Sequence, residues 1–106
     1  MAQEVIVVNS SKIYSGMVRL TANRSRMKLP DVPIPDGRVV LIKNNPNNPI
    51  GTIIYIDSED ITENSWPILP GEIIGYYTKN ANAITVGVQT IAVGVTLLVN
   101  YTVEVD

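Results

Sequence analysis

Apolar residues recur at every second position along most of the readable segments of this chain. In TLLVNYTVEV, residues 96–105, Leu97, Val99, Tyr101, Val103 and Val105 fall on one side, and Thr96, Leu98, Asn100, Thr102 and Glu104 on the other. A period of two sends alternate side chains to opposite faces of an extended backbone, so the run predicts a half-buried strand. Ile84, Val86 and Val88 alternate with Ala83, Thr85 and Gly87 in the same way. Shorter strands are predicted over residues 39–43, 52–56 and 73–77, each bounded by turn residues. One segment competes for a helix: in MVRLTANRSRMK, residues 17–28, Met17, Leu20 and Met27 could share a helical face. It contains Thr21, Asn23 and Ser25, lacks a clean cap and runs into Pro30, so the reading is strand followed by loop. Short strands separated by turn signals predict an all-β, single-domain antiparallel β-sandwich, jelly-roll-like or Ig-like, with a small β-barrel as the alternative.

The boundaries carry their own chemistry. Pro30, Pro33 and Pro35 crowd into LPDVPIP, where each ring fixes φ and removes a backbone donor, which makes a stiff, extended approach to the next strand. In Ile34-Pro35-Asp36-Gly37 the proline suits the first central position of a type I turn, and Gly37 can take positive φ. Pro70-Gly71 reads as the centre of a type II turn ahead of a strand opening at Glu72. The segment NNPNNPIG, residues 44–51, reads as a polar hairpin loop of more than two residues.

Composition narrows the functions open to such a domain. With 106 residues, 45% of them apolar, the chain suits one folded domain with a single modest core. Cysteine and histidine are both absent, which removes disulfides, thiol nucleophiles, the usual neutral-pH general base and most zinc sites. The expectation is therefore a protein that is not an enzyme and uses no cofactor. A formal charge of -2 implies no global field for a polyanion. The first residues have no basic n-region and no long apolar run, so no signal peptide is expected. Residues 80–103 lack any charge, yet their asparagines, threonines and β-branched residues predict paired strands and no membrane association.

Asp57, Glu59, Asp60 and Glu63 lie close together in DSEDITEN, the one weak candidate for a hard cation. The stretch lacks EF-hand spacing, and the favoured reading is a solvated loop with no metal. Seven of the eight basic residues fall between Lys12 and Lys43, with Arg19, Arg24, Arg26 and Lys28 the densest group. No aromatics interleave with them for base stacking, so nucleic acid is disfavoured. Plain solvated surface and a contact between basic and acidic regions of neighbouring copies or partners are the two main readings. Trp66, the sole tryptophan, reads as a plug over the end of the core in preference to a ligand platform. Asn9, Asn23 and Asn100 begin N-x-Ser/Thr matches that mean little without a secretion signal.

The order of these signals resembles a known group. Leu-Pro-x-x-Pro-Ile-Pro-x-Gly at residues 29–37 leads to a strand with an Asn-Pro loop and then to Gly51-Thr-Ile-Ile-Tyr-Ile56. Pro-Ile-Leu-Pro-Gly-Glu at residues 67–72, an Asn-x-x-x-Ile strand at residues 80–84 and the closing Tyr101 to Glu104 run follow. The series is similar to small β-sandwich virion structural proteins of tailed bacteriophages, found among head decoration or cement proteins and tail-associated modules. The resemblance implies a capsid decoration protein that binds the outer surface of the head and stabilises it. Its implied partners are itself, as a homo-oligomer with a trimer favoured, and the major capsid protein. Localisation would be the virion, with synthesis in the host cytoplasm. Residues 1–13 then read as an N-terminal arm ahead of a domain at residues 14–106, in which Glu4, Val5, Ile6, Val7 and Val8 add as a strand to a neighbour. The alternative is a receptor- or glycan-binding module of a phage tail or fibre, for which only Trp66, Tyr76 and Tyr77 could supply an aromatic platform.

Overall fold

A computed structural model describes residues 12–105. Eight strands follow in order: β1 (Lys12–Leu20), β2 (Arg26–Lys28), β3 (Val40–Asn44), β4 (Ile54–Asp57), β5 (Trp66–Ile68), β6 (Ile73–Tyr76), β7 (Thr85–Gly87) and β8 (Leu97–Val105). The only helical element among the described residues is a 3-10 turn at Ala81–Ala83. The segment that competes for a helix is instead most of β1, a tight turn closed between Thr21 and Arg24, and β2.

Two four-stranded antiparallel sheets form, one in the order β1-β8-β3-β6 and the other β2-β7-β4-β5. The pairs β1 with β8, β2 with β7, β3 with β6 and β4 with β5 describe one long antiparallel hairpin centred on the β4–β5 loop. Wrapping that hairpin on itself brings β3 against β8 and β4 against β7. The result is the strand order of a jelly roll, with its two sheets distinct and neither Ig-like nor closed into a barrel. The core between the sheets holds Val18 and Leu20 from β1, Val40 and Ile42 from β3, Ile54 and Ile56 from β4, Val86 from β7, and Leu97, Val99, Tyr101 and Val103 from β8. Alternation in β8 predicts that inner face, with one departure: Glu104 is buried on the opposite side, where it accepts a hydrogen bond from the Val39 N–H at 2.9 Å. From Lys12, the first described residue, β1 is paired with β8, Lys12 opposite Val105 and Ile13 opposite Glu104, so these two residues pair within the sandwich.

The proline-rich approach has a backbone logic. It runs alongside residues 79–84, and its N–H groups turn inward at alternate positions: Val32 donates to Asn80 Oδ1 at 3.1 Å and Ile34 to the Lys79 carbonyl at 2.9 Å. Pro33 and Pro35 occupy the intervening positions, where a donor would face away from this partner. Leu29, ahead of Pro30, donates to Ile84 at 3.0 Å. The turn that follows is shifted by one residue from the sequence expectation. Arg38 donates to the Pro35 carbonyl, so Asp36 and Gly37 are its central pair, and Gly37 takes φ 78°. At Pro70-Gly71 expectation and structure agree: Glu72 donates to the Leu69 carbonyl and Gly71 has φ 84°.

The asparagine-proline segment is not a hairpin loop, because β3 and β4 lie in different sheets. It crosses between the sheets by two successive turns, Asn48 donating to Asn45 and Thr52 to Pro49. Its asparagines are structural. Asn44 is fully buried and donates from Nδ2 to the carbonyls of Ile68 at 2.7 Å and Thr52 at 3.1 Å, while its Oδ1 accepts from Asn48 Nδ2 at 2.8 Å. Asn48 also uses its amide as a substitute peptide group, donating to the Leu98 carbonyl at 2.8 Å and accepting from the Leu98 N–H at 2.9 Å. Truncating Asn44 removes the bonds to the buried Ile68 carbonyl, the half-buried Thr52 carbonyl and Asn48, so Asn44→Ala is expected to lower unfolding free energy by roughly 3 kcal/mol. Asn48→Ala should act on the same network, and in urea unfolding the double variant should cost clearly less than the two single losses added together.

Candidate functional site

β5 and β6 are the edge strands on the same side of the two sheets. Trp66 lies in register with Ile56, and Tyr76 with Val40, so both aromatics belong to the core-facing side of their strands. Here the strands are three and four residues long, and no further strand closes the seam between the sheets among the described residues. A cleft of about 470 Å³ opens there, walled by Trp66 on one side and Tyr76 and Tyr77 on the other. Trp66 is 62% exposed and Tyr77 75%. The expected plug over the core is therefore corrected: Trp66 faces the seam but leaves it open, and the ends of Ile56 and Ile84 line the cleft.

Polar residues from the end of β4 and the loop after it line the cleft, among them Asp57, Ser58 and Asn64, with Thr78 next to Tyr77. Asp57 is held in place: Oδ1 accepts from the Ser58 N–H at 2.7 Å and Oδ2 from the Ser65 hydroxyl at 2.8 Å. Those bonds, the Ser58 backbone donor foremost, hold its carboxyl below the usual carboxylate range, so it is charged at neutral pH. Ser65, which is buried, also accepts from the Thr62 N–H and locks the loop that carries Asn64. The Asn64 side-chain amide makes no hydrogen bond among the described residues.

The acidic loop is more than a solvated turn. Ile61 is buried over the outer face of β7, where the missing side chain of Gly87 leaves room; an added Cβ would sit 2.8 Å from Ile61 Cγ1 and 2.7 Å from the Ser25 carbonyl oxygen. Arg26 clamps the same loop, pairing with Asp60 at 3.2 Å and donating to the Ile61 carbonyl. Both partners of that ion pair are largely exposed, so it positions the loop more than it stabilises the fold. Asp57, Glu59, Asp60 and Glu63 do not converge into a cation site among the described residues. The basic group divides. Arg19, Arg24 and Lys28 line a shallow groove of about 440 Å³ with Met17 and Tyr101, whereas Arg26 is taken by the acidic loop of its own chain. Glu4, Val5, Ile6, Val7 and Val8 lie outside the described residues.

At the opposite edge, β1 leaves one side of its backbone unpaired among the described strands. Ile13, Tyr14 and Met17 are exposed along it. Tyr14 stacks on Tyr101 with ring centroids 6.4 Å apart, and the Tyr101 ring lies across Gly16, on which an added Cβ would collide. Burial, then the neighbouring Tyr14, pushes the Tyr101 phenol up from its ordinary range.

No protein-family model, curated protein or solved structure matches this chain.

Asp57 also provides a pH signature. A carboxyl whose value is depressed on folding stabilises the native state above its unfolded range, and that contribution disappears as pH falls through the depressed value. Asp57→Asn should lower Tm at neutral pH, and the gap between wild type and variant should close as pH is taken down through and below the ordinary carboxylate range. A gap independent of pH would mean that the Ser58 and Ser65 bonds do not depend on the charge.

Proposed function

We propose that the chain is a non-enzymatic virion structural protein of a tailed bacteriophage, a decoration protein that binds the outer surface of the head and stabilises it as a homo-oligomer. The observation that carries the reading is the nine-residue edge of β1, unpaired among the described strands, with Ile13, Tyr14 and Met17 exposed and the apolar sequence Val5 to Val8 a few residues ahead of it in the chain. An edge of this length invites strand addition by a neighbour. The jelly-roll strand order supports the reading by analogy, since viral capsid domains use it repeatedly, although fold alone does not fix function. The order of turn signals that resembles phage virion proteins is a further support: it forms the joints between strands, where the prolines and asparagines have structural work. A closed trimer suits the local threefold positions of an icosahedral shell.

A receptor- or glycan-binding module of a tail or fibre is the second reading, and the aromatic cleft at the β5–β6 seam favours it. One experiment separates the two. Particles made without this gene are incubated with the purified chain and imaged by cryo-electron microscopy. Density repeated over the head surface, with a raised temperature of capsid rupture, is the expected result. Density confined to the tail supports the second reading, and no added density on either removes both.

Self-association gives a further expected outcome. By light scattering the intact chain should be an oligomer, and deletion of residues 1–11, which leaves all of β1, should give a folded β protein that no longer self-associates or binds particles. Unchanged assembly and unchanged occupancy would show that the arm has no part in either.

A further inference from the structure

We infer that the cleft between β5 and β6 is a saccharide-binding site, built for a neutral or amino-substituted pyranose and selective against acidic sugars. The inference rests on the geometry of the cleft and holds for a head or a tail location.

Three observations converge. First, Trp66 and Tyr76 come from core-facing positions of strands in opposite sheets, yet both are exposed, Tyr76 at 48%. Burying such residues elsewhere in the sandwich is the ordinary outcome; here the shortness of β5 and β6 leaves their faces at the surface, with Tyr77 beside them. Large aromatic rings with an electron-rich face pack against the weakly positive C–H face of a pyranose, and they do so with little loss of side-chain freedom. Secondly, polar residues line the cleft together with these aromatic ones: Asp57, Ser58, Asn64 and Thr78. A sugar ring presents the same combination, an apolar face bordered by hydroxyls that both donate and accept. Asp57 and Ser65 fix the loop in advance, so little ordering is required on binding. Thirdly, Asp57 is the one charged residue among those lining the cleft, and its two carboxylate oxygens retain lone pairs beyond those used by Ser58 and Ser65. An anionic sugar would meet it as a like charge, whereas a hydroxyl or an ammonium group could donate to it. The volume of about 470 Å³ lies within the range of small-ligand sites.

The chain supplies its own probe, because Trp66 is the only tryptophan. Titration of the intact protein with chitotriose, maltotriose, mannotriose and a chitosan trimer, followed by tryptophan fluorescence, should give a saturable blue shift with at least one of them. Sialyllactose and a heparin trisaccharide should give none. Isothermal titration with the best probe should then weaken about tenfold in Tyr77→Ala and in Trp66→Ala. Both positions are largely exposed, so Tm should be unchanged in the two variants. Asp57→Asn should relax the discrimination against sialyllactose. The inference is overturned if none of the neutral or amino sugars binds, if the acidic ones bind better, or if binding is indifferent to Trp66 and Tyr77. It is also overturned if choline, a quaternary ammonium probe that selects an aromatic cage, binds and the sugars do not.

Discussion

The buried amide pair Asn44 and Asn48 is the constraint on which the rest of this sandwich depends. Asn44 ends β3 in one sheet and donates to Thr52, on the way into β4, and to Ile68, the last residue of β5 in the other sheet. Asn48 carries the link back to Leu98 on β8. Three strands of two sheets and the crossing between them are therefore tied at one point by directional bonds inside an apolar surround, where such bonds cannot be exchanged for water. The hydrophobic contacts would tolerate some sliding of one sheet over the other; the amides specify one offset. One of those bonds ends on β5 itself, the strand that carries Trp66.

The proline approach has a related role by the opposite means. Where the asparagines add hydrogen-bonding groups to irregular backbone, Pro33 and Pro35 delete donors from positions that would have faced away from the pairing partner, while Val32 and Ile34 keep theirs for Asn80 and Lys79. The segment satisfies its inward groups without becoming a strand that could pair on both sides. Asn80 joins the two devices, accepting from Val32 and Asn82 and donating to Asp31.

Much of the fold was legible in the sequence where strands are long or alternate strictly. β8 and the Pro70-Gly71 turn follow directly from period and turn chemistry. The three-residue strands did not: β5 contains Pro67, which ordinarily argues against a strand and is accommodated here only because β5 is an edge, and β2 is too short to show a period. NNPNN reads as solvated because asparagine is usually exposed, and nothing local announces that Asn44 and Asn48 will find carbonyls 24 and 50 residues away. The same holds for the cleft. Trp66, Tyr76 and Tyr77 were recognisable as the aromatic set, but their convergence depends on two edges being superposed, which is a property of the wrapped topology and of no single segment.

That topology has a consequence for how the molecule is made. Among the described strands β1 is bonded within its sheet only to β8, so it has no such partner until β8 has left the ribosome. The β4–β5 hairpin, in the middle of the chain, joins strands close in sequence, and the pairs β3 with β6, β2 with β7 and β1 with β8 enclose it at increasing sequence separation, each closing a longer loop. During synthesis the exposed apolar stripe of β1 is therefore a nascent adhesive without a scaffold, a window in which chaperone capture competes with premature contact between chains. Once β8 arrives, the same strand becomes a rigid rim. Arrival of β8 is thus the event that converts an indiscriminate sticky segment into a shaped one, and a product truncated before β8 would have no means of making that change.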